Sequence, residues 1–222
     1  MEWVLAIVAV GGGGLVAFRR FSTRRQQALT DAEELAGVKV MADEDTTLLG
    51  EQLQRLGSDR AVAEMDEATQ VDYQTALDAY ESAKRAVPRL RTADEISSVV
   101  DILSTGRYAL ACVRARIAGL PVPELRVPCF FNPQHGPSVK DVQWTSPGRG
   151  TRIVPSCAQD ATRVANGEWP EIRKVKVGST LAPYWEAGAA YLPYGQNYFS
   201  TAVLEAGYRA QSQNWGGFGS GL

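Results

Sequence analysis

The spacing of hydrophobic and polar positions changes three times along this chain. Residues 3 to 18 carry no charge, and from about residue 22 to 120 apolar positions recur every three or four residues, which predicts helices. From residue 121 short runs alternate apolar and polar positions, which predicts strands. Beyond residue 188 the chain is aromatic, glycine-rich and nearly uncharged, which is typical of a flexible end. These changes predict segments 1–20, 21–120, 121–187 and 188–222.

Three helices are predicted in the second segment, over 31–56, 66–87 and 92–119. Asp31 is placed to cap the first of them. On the second, the pattern puts an apolar set on the buried side and Asp72 on the solvent side. The apolar set is Val71 or Tyr73, Leu77, Tyr80, Ala83 and Val87. Long helices joined by short links pack antiparallel most simply, so we expect an elongated, coiled-coil-like bundle or hairpin.

The uncharged run WVLAIVAVGGGGLVAF predicts a membrane-spanning helix. About 16 residues rise only about 24 Å, so Trp3 is expected at one interface while the basic side chains reach the other. Four arginines follow the run and none precedes it, which predicts an outside amino terminus and a cytoplasmic body. The residues that flank the predicted anchor are Trp3, Arg19, Arg20, Arg24 and Arg25.

Two other interpretations of this run were weighed. A secretory signal peptide carries its positive charge before the apolar run, whereas the only early charge here is Glu2. A buried core helix is the second alternative for so short a run. Small residues also recur every four positions at Ala9, Gly13 and Ala17, which suggests a face where two anchors could pack as a homodimer.

The third segment predicts a small β-rich unit. Strands are expected over 139–145 and 151–156, joined by a turn in SPGRG, and a short helix follows from Cys157 to the glycine at 167. A further hairpin is expected to turn at Gly178 and Ser179. With the helices, this gives an α+β fold.

Four residues of this segment are candidate metal ligands: Cys129, His135, Cys157 and Asp160. A loop with two donors, a hairpin, and a helix whose first turn holds two more resembles a treble-clef zinc finger, which would bind Zn²⁺. The spacings Cys-x5-His and Cys-x2-Asp depart from the usual paired Cys-x2-Cys. A metal-free relic of that fold, a catalytic Cys129/His135 pair, and a simple turn at NPQHG therefore stay open.

A family resemblance joins these segments. LDAYESAKRAV, CFFNPQHGPSVKDVQW and PYWEAGAAYLPYGQNYF resemble an uncharacterised family of small actinobacterial membrane proteins. The resemblance implies one amino-terminal anchor, a helical middle and a Cys/His segment. It implies no known activity.

Composition narrows the function. A net charge of −2 offers no basic excess for phosphate binding, so a nucleic-acid partner is not expected. Three cysteines at uneven spacing fit a reducing compartment better than a disulfide scaffold. The sequence therefore predicts a membrane-anchored cytoplasmic adaptor or scaffold without catalytic activity, with an unidentified protein partner. The alternative is a membrane-bound enzyme or thiol redox sensor that uses Cys129 and His135.

Overall fold

A computed structural model describes residues 3–57, 65–146 and 149–195, with side chains described from residue 24 onward except at 149 and 195. The chain combines long helices with two small antiparallel hairpins, so the predicted mixed α+β class is confirmed at that level. The helices are α1 (Trp3–Gly57), α2 (Glu67–Ala86), α3 (Ile96–Ile117), α4 (Ala158–Ala165) and α5 (Leu192–Gly195). The strands are β1 (Lys140–Ser146), β2 (Arg149–Ser156), β3 (Lys174–Val177) and β4 (Thr180–Pro183).

Helix α1 runs without a break through the predicted anchor and the first predicted helix. Asp31 therefore lies inside a helix, and its predicted role as an N-cap is wrong because no helix starts there. Every residue from 24 to 33 is exposed, and burial begins with Leu35 and Val38. An exposed helical stretch thus connects the apolar segment to the core.

The buried face of α2 agrees with the predicted one only in part: Ala83 and Val87 are buried as predicted. Asp72 was expected in solvent but is 2% exposed, whereas Tyr73, Leu77 and Tyr80 are only partly buried. The buried face carries small side chains, which let α3 approach closely: a Cβ built on Gly106 would lie 2.8 Å from the Ala79 Cβ. Asp72 is accommodated because Arg116 of α3 donates to its carboxylate at 3.1 Å.

Helix α3 carries the predicted apolar stripe into the core, including Val99, Leu103 and Leu110. It ends at the predicted position, where Gly119 adopts φ +66° and the Leu120 N–H donates to the Ala115 carbonyl at 2.8 Å. Among the described residues, the stretch Ala93–Ile117 is long and apolar enough to cross a membrane by length and composition. Some 61% of that stretch is buried inside the protein, as in the core helix of a soluble protein.

The two predicted hairpins form, and the second turns at the predicted position. Strand β1 pairs antiparallel with β2, and β3 pairs with β4 through a turn at Gly178, which has φ +59°. Two apolar clusters result. The larger joins α1, α2 and α3 to residues after β3, and the smaller contains Cys129, Phe131, Trp144, Val154 and Cys157.

Residues 188–195 differ from the flexible tail predicted from residue 188. Tyr191 and Tyr194 are 3% and 7% exposed and belong to the larger cluster, because their rings pack where α1, α3 and the second hairpin meet. The remainder of the predicted tail, 196–222, lies outside the described residues.

Candidate metal centre

The loop that carries Cys129 and His135 is held by backbone hydrogen bonds. The Cys129 N–H donates to the Gly136 carbonyl at 3.0 Å, and Pro128 pairs with Pro137 across the loop. Asn132 begins a single 3-10 turn, Pro133–His135, where its side chain accepts from the Gln134 N–H at 3.1 Å. Gly136 then reverses the chain with φ +83°, a conformation that glycine adopts without strain. The loop therefore fixes both donors.

The other two donors lie in the first turn of α4, directly after the β1–β2 hairpin. Cys157 is the N-cap residue of α4, and its Sγ accepts from the Asp160 N–H at 3.4 Å. Residues three apart project from the same helical face, so the Cys157 thiol and the Asp160 carboxylate point to one place.

All four predicted ligands converge there. The donor atoms of Cys129, His135, Cys157 and Asp160 all lie within 4.8 Å of one another, so the cluster can hold a metal ion. The Asp160 Oδ2 is its centre: it lies 2.9 Å from the His135 Nδ1 and 3.4 and 3.5 Å from the Cys129 and Cys157 Sγ atoms. Cys157 Sγ and His135 Nδ1 are 3.6 Å apart.

A second set of contacts orients these ligands. The Asp160 Oδ1 accepts from the Arg163 guanidinium at 3.0 Å and from the Glu171 N–H at 2.9 Å, which leaves only Oδ2 facing the cluster. The His135 Nε2 lies 3.3 Å from the Asn132 side-chain amide and 3.5 Å from the Glu171 carboxylate. Such outer contacts fix ring and carboxylate orientation at metal sites.

Burial and charge make the two thiols unequal. Cys129 is 1% exposed, and its hydrogen bond to Cys157, together with burial, raises the pKa of its thiol well above the ordinary range. The same hydrogen bond lowers the pKa of Cys157 to about 5 despite its burial. Cys157 is therefore the more acidic of the two thiols, whereas the predicted alternative placed the reactive thiol at Cys129.

The His135 imidazole and the Asp160 carboxylate each favour the charged form of the other. Burial by itself would lower the pKa of His135, but the hydrogen bond to Cys157 and the charge of Asp160 raise it to about 9. Burial opposes ionisation of Asp160, yet the Glu171 N–H and the charge of His135 hold its pKa below the ordinary value. A divalent cation that displaced the protons of the thiols and the imidazole could bind to the same donor atoms.

Sequence reasoning missed a buried link from this loop to the helices. Gln134, next to His135, donates to the Asp45 carboxylate of α1, and Asp45 also lies 3.1 Å from the Arg107 guanidinium of α3. Arg173 lies 3.5 Å from the same carboxylate. The available signal was an aspartate between the buried stripe residues Met41 and Leu49.

The predicted anchor residues stand apart from this site. The side chains of Trp3, Arg19 and Arg20, and the predicted dimer face at 9, 13 and 17, lie outside the described residues. Arg24 and Arg25 are exposed on α1. The anchor and the homodimer therefore stay predictions.

Comparison with known protein families, characterised proteins and solved structures finds no match to this chain. The resemblance to the actinobacterial membrane family therefore stays a prediction, and the functional argument depends on the geometry of the site.

Proposed function

We propose that this protein is a membrane-anchored cytoplasmic scaffold or adaptor without catalytic activity, and that residues 121–187 form a treble-clef-like module stabilised by zinc. The donor set carries the proposal: four protein donor atoms lie within 4.8 Å of one another, and structural zinc sites take four protein ligands. Catalytic zinc sites instead keep one position open for water or substrate. Such a module would present its surface to a protein partner.

The donor chemistry and spacing fit zinc. Tetrahedral zinc holds nitrogen, oxygen and sulfur at about 2.0 to 2.3 Å, so its donors lie roughly 3.3 to 3.8 Å from each other. The separations of 3.4, 3.5 and 3.6 Å fall in that range, and the 2.9 Å between His135 Nδ1 and Asp160 Oδ2 requires a small expansion. The full set extends to 4.8 Å, so zinc would also draw its most distant donors together. Thiolate and imidazole are preferred zinc ligands, and Asp160 supplies a single oxygen.

The size of the module explains why it would need a metal. Its own apolar cluster has Phe131, Trp144 and Val154 as buried members beside the two cysteines. A core this small supplies little folding free energy, and zinc binding adds directly to it when the site exists only in the folded state.

The continuity of α1 supports the anchored arrangement. The helix joins the predicted anchor to the core with no hinge, and its exposed residues 24 to 33 would span about 15 Å at 1.5 Å per residue. The body would then stand at a set distance from the membrane, as suits a scaffold. A reporter that is active only in the cytoplasm should be active when it is fused after Leu222. Activity of a reporter that works only outside the cytoplasm, fused at the same position, would overturn the proposed orientation.

Metal analysis of the purified full-length chain tests the zinc site. We expect one zinc per chain, retained in Cys112→Ala, because Cys112 is buried in α3 away from the cluster. Cys157→Ser should lose the metal. A full-length chain that is purified without chelators, holds no zinc and takes none up on titration would contradict the proposal.

A thiol redox sensor is the alternative, and the lowered pKa of Cys157 is the observation that favours it. The two functions predict opposite alkylation kinetics. If zinc occupies the site, Cys157 should react with iodoacetamide more slowly than free cysteine at neutral pH, and a chelator should accelerate it. Faster reaction in the untreated protein would favour the sensor.

A further inference from the structure

A cavity of about 240 Å³ lies between α3, strand β2 and the residues that follow β4. It is separate from the metal cluster, since none of the four candidate ligands lines it. Apolar and aromatic side chains form part of its walls, and polar atoms supply the larger share of its accessible lining. The apolar and aromatic residues include Val100, Val127, Phe130, Val154 and Tyr184. The cavity has room for a small molecule with an apolar body.

Two residues that line this cavity carry buried hydroxyl groups without partners, and the cavity would have to widen slightly for a ligand to reach the two oxygens. Ser104 and Tyr194 both line it and are 5% and 7% exposed. Neither the Ser104 Oγ nor the Tyr194 hydroxyl has a hydrogen-bond partner among the described residues. Because a buried hydroxyl without a partner is destabilising, a ligand that bonds to it recovers free energy that the ligand-free protein lacks.

A cation also lines the cavity. The Arg152 guanidinium lies 4.6 Å from the ring centroid of Phe130 and 5.4 and 5.8 Å from those of Trp144 and Trp185. These aromatic faces hold the guanidinium in place, but no described carboxylate pairs with it. Its donors are therefore available to an anion, and guanidinium matches a carboxylate with two parallel hydrogen bonds.

We propose that this cavity binds a small organic acid with an aromatic or apolar body. The carboxylate pairs with Arg152, the body packs against Phe130 and Val154, and a second polar group bonds to the hydroxyls of Ser104 and Tyr194. The proposal goes beyond the scaffold function, because it requires neither the metal nor the membrane anchor.

The full-length chain in detergent micelles, titrated by calorimetry with 3-(4-hydroxyphenyl)propionate, tests the acid. We expect binding that weakens about tenfold or more for the primary amide of the same compound and for the protein variant Arg152→Gln, because both remove the charge pair. Lys140→Gln, an exposed cation of β1 that does not line the cavity, is the matched control and should bind as the wild type does.

The hydroxyls have a separate signature. Ser104→Ala and Tyr194→Phe should weaken binding of the phenolic acid while leaving the melting temperature of the ligand-free protein unchanged or higher, since each removes an unpartnered buried group. A merely structural hydroxyl would lower that temperature instead. Absence of binding heat, equal affinity for acid and amide, or unchanged affinity in Arg152→Gln would each overturn the proposal.

Discussion

The helical core and the Cys/His module, residues 121–187, are stabilised in different ways. The core is built from apolar positions that recur along α1, α2 and α3, so many side chains share the burial. In the module, Cys129 and Cys157 are themselves members of the small buried cluster and also candidate metal ligands. Burial that is distributed over many residues tolerates the loss of one, whereas a site of four converging donors does not.

Both regions bury an aspartate, and their partners differ. Asp45 in α1 faces Arg107, a permanent cation, at 3.1 Å. The inward oxygen of Asp160 faces an imidazole and two thiols, groups that can release protons and accept a metal. The Asp45 Oδ2 and the Arg107 Nη2 form an ion pair, although neither atom has a hydrogen-bond partner among the described residues. The donor atoms around Asp160, by contrast, could hold a metal ion.

Loss of the ligand set should have the largest effect. We expect Cys157→Ser, or a chelator, to remove on the order of 10 kcal/mol of apparent metal-linked stability from the module. Near-ultraviolet circular dichroism, dominated by the module's aromatic rings, should collapse while the helical far-ultraviolet signal persists. Simultaneous loss of both signals would show that the two regions are one cooperative unit. Cys112→Ala should change neither signal.

Breaking the buried ion pair of the core should rank second. Asp45→Ala removes the carboxylate and leaves the Arg107 guanidinium buried without that counter-ion. We therefore expect the free energy of unfolding to fall by about 3 to 5 kcal/mol. Glu81→Ala, which breaks the exposed pair with Arg85, should cost less than about 0.5 kcal/mol. Urea unfolding of the full-length chain measures both; equal losses would contradict the distinction between them.

Close packing of α2 on α3 should come third. Gly106→Ala would place a Cβ 2.8 Å from the Ala79 Cβ and 2.9 Å from a methyl of Leu49, so we expect a loss of about 1 to 3 kcal/mol. Helix propensity by itself predicts the opposite sign, since alanine favours helices by about 1 kcal/mol over glycine. Gly150→Ala, where nothing lies within 4 Å, is the control in the thermal melts.

The smallest effect should be a pH dependence at Asp72. Burial raises the pKa of this carboxyl above its ordinary value, and Arg116 offsets the rise only in part. The folded state therefore holds the proton more tightly, so the stabilisation is greatest below the unfolded pKa of about 3.9 and declines as the pH rises through the folded pKa.

Asp72→Asn keeps an acceptor for Arg116 and removes this titration. We expect the stability of the wild type relative to Asp72→Asn to fall as the pH rises from about 3 toward neutrality. Melting curves over that range measure the difference, and Asp78→Asn on the same helix controls for the loss of one charge. A relative stability that rises with pH would contradict the stated direction.

Periodicity predicted the helices well but placed Asp72 of α2 on the wrong side. The pattern put the large side chains of Leu77 and Tyr80 in the core, whereas the close approach of α3 buries the small side chains of α2 and Asp72. The choice depends on Gly106 and Arg116, which lie on another helix and leave no trace in the local pattern. Burial of Asp45 was missed for the same reason, because its partners are distant in sequence.

The site was easier to predict, since its chemistry depends on rare residue types. The single histidine and two of the cysteines, together with the predicted hairpin between them, were enough to predict that four side chains lie together. These are Cys129, His135, Cys157 and Asp160. The supporting contacts from Arg163 and Glu171 were not predicted, because common charged residues give no distinctive spacing. Gln134, which links the loop to α1, was likewise indistinguishable from a turn residue.

The unbroken course of α1 also fixes rotation. Each residue of an α-helix turns the chain by about 100°, so the face presented by residues before 24 and the face packed after 33 keep one angular phase. One alanine inserted into the exposed stretch would swing the body by about 100° and raise it by 1.5 Å, whereas seven inserted residues would nearly restore the original direction. The length of this helix therefore affects the rotation of the body about the helix axis more than its distance from the apolar segment.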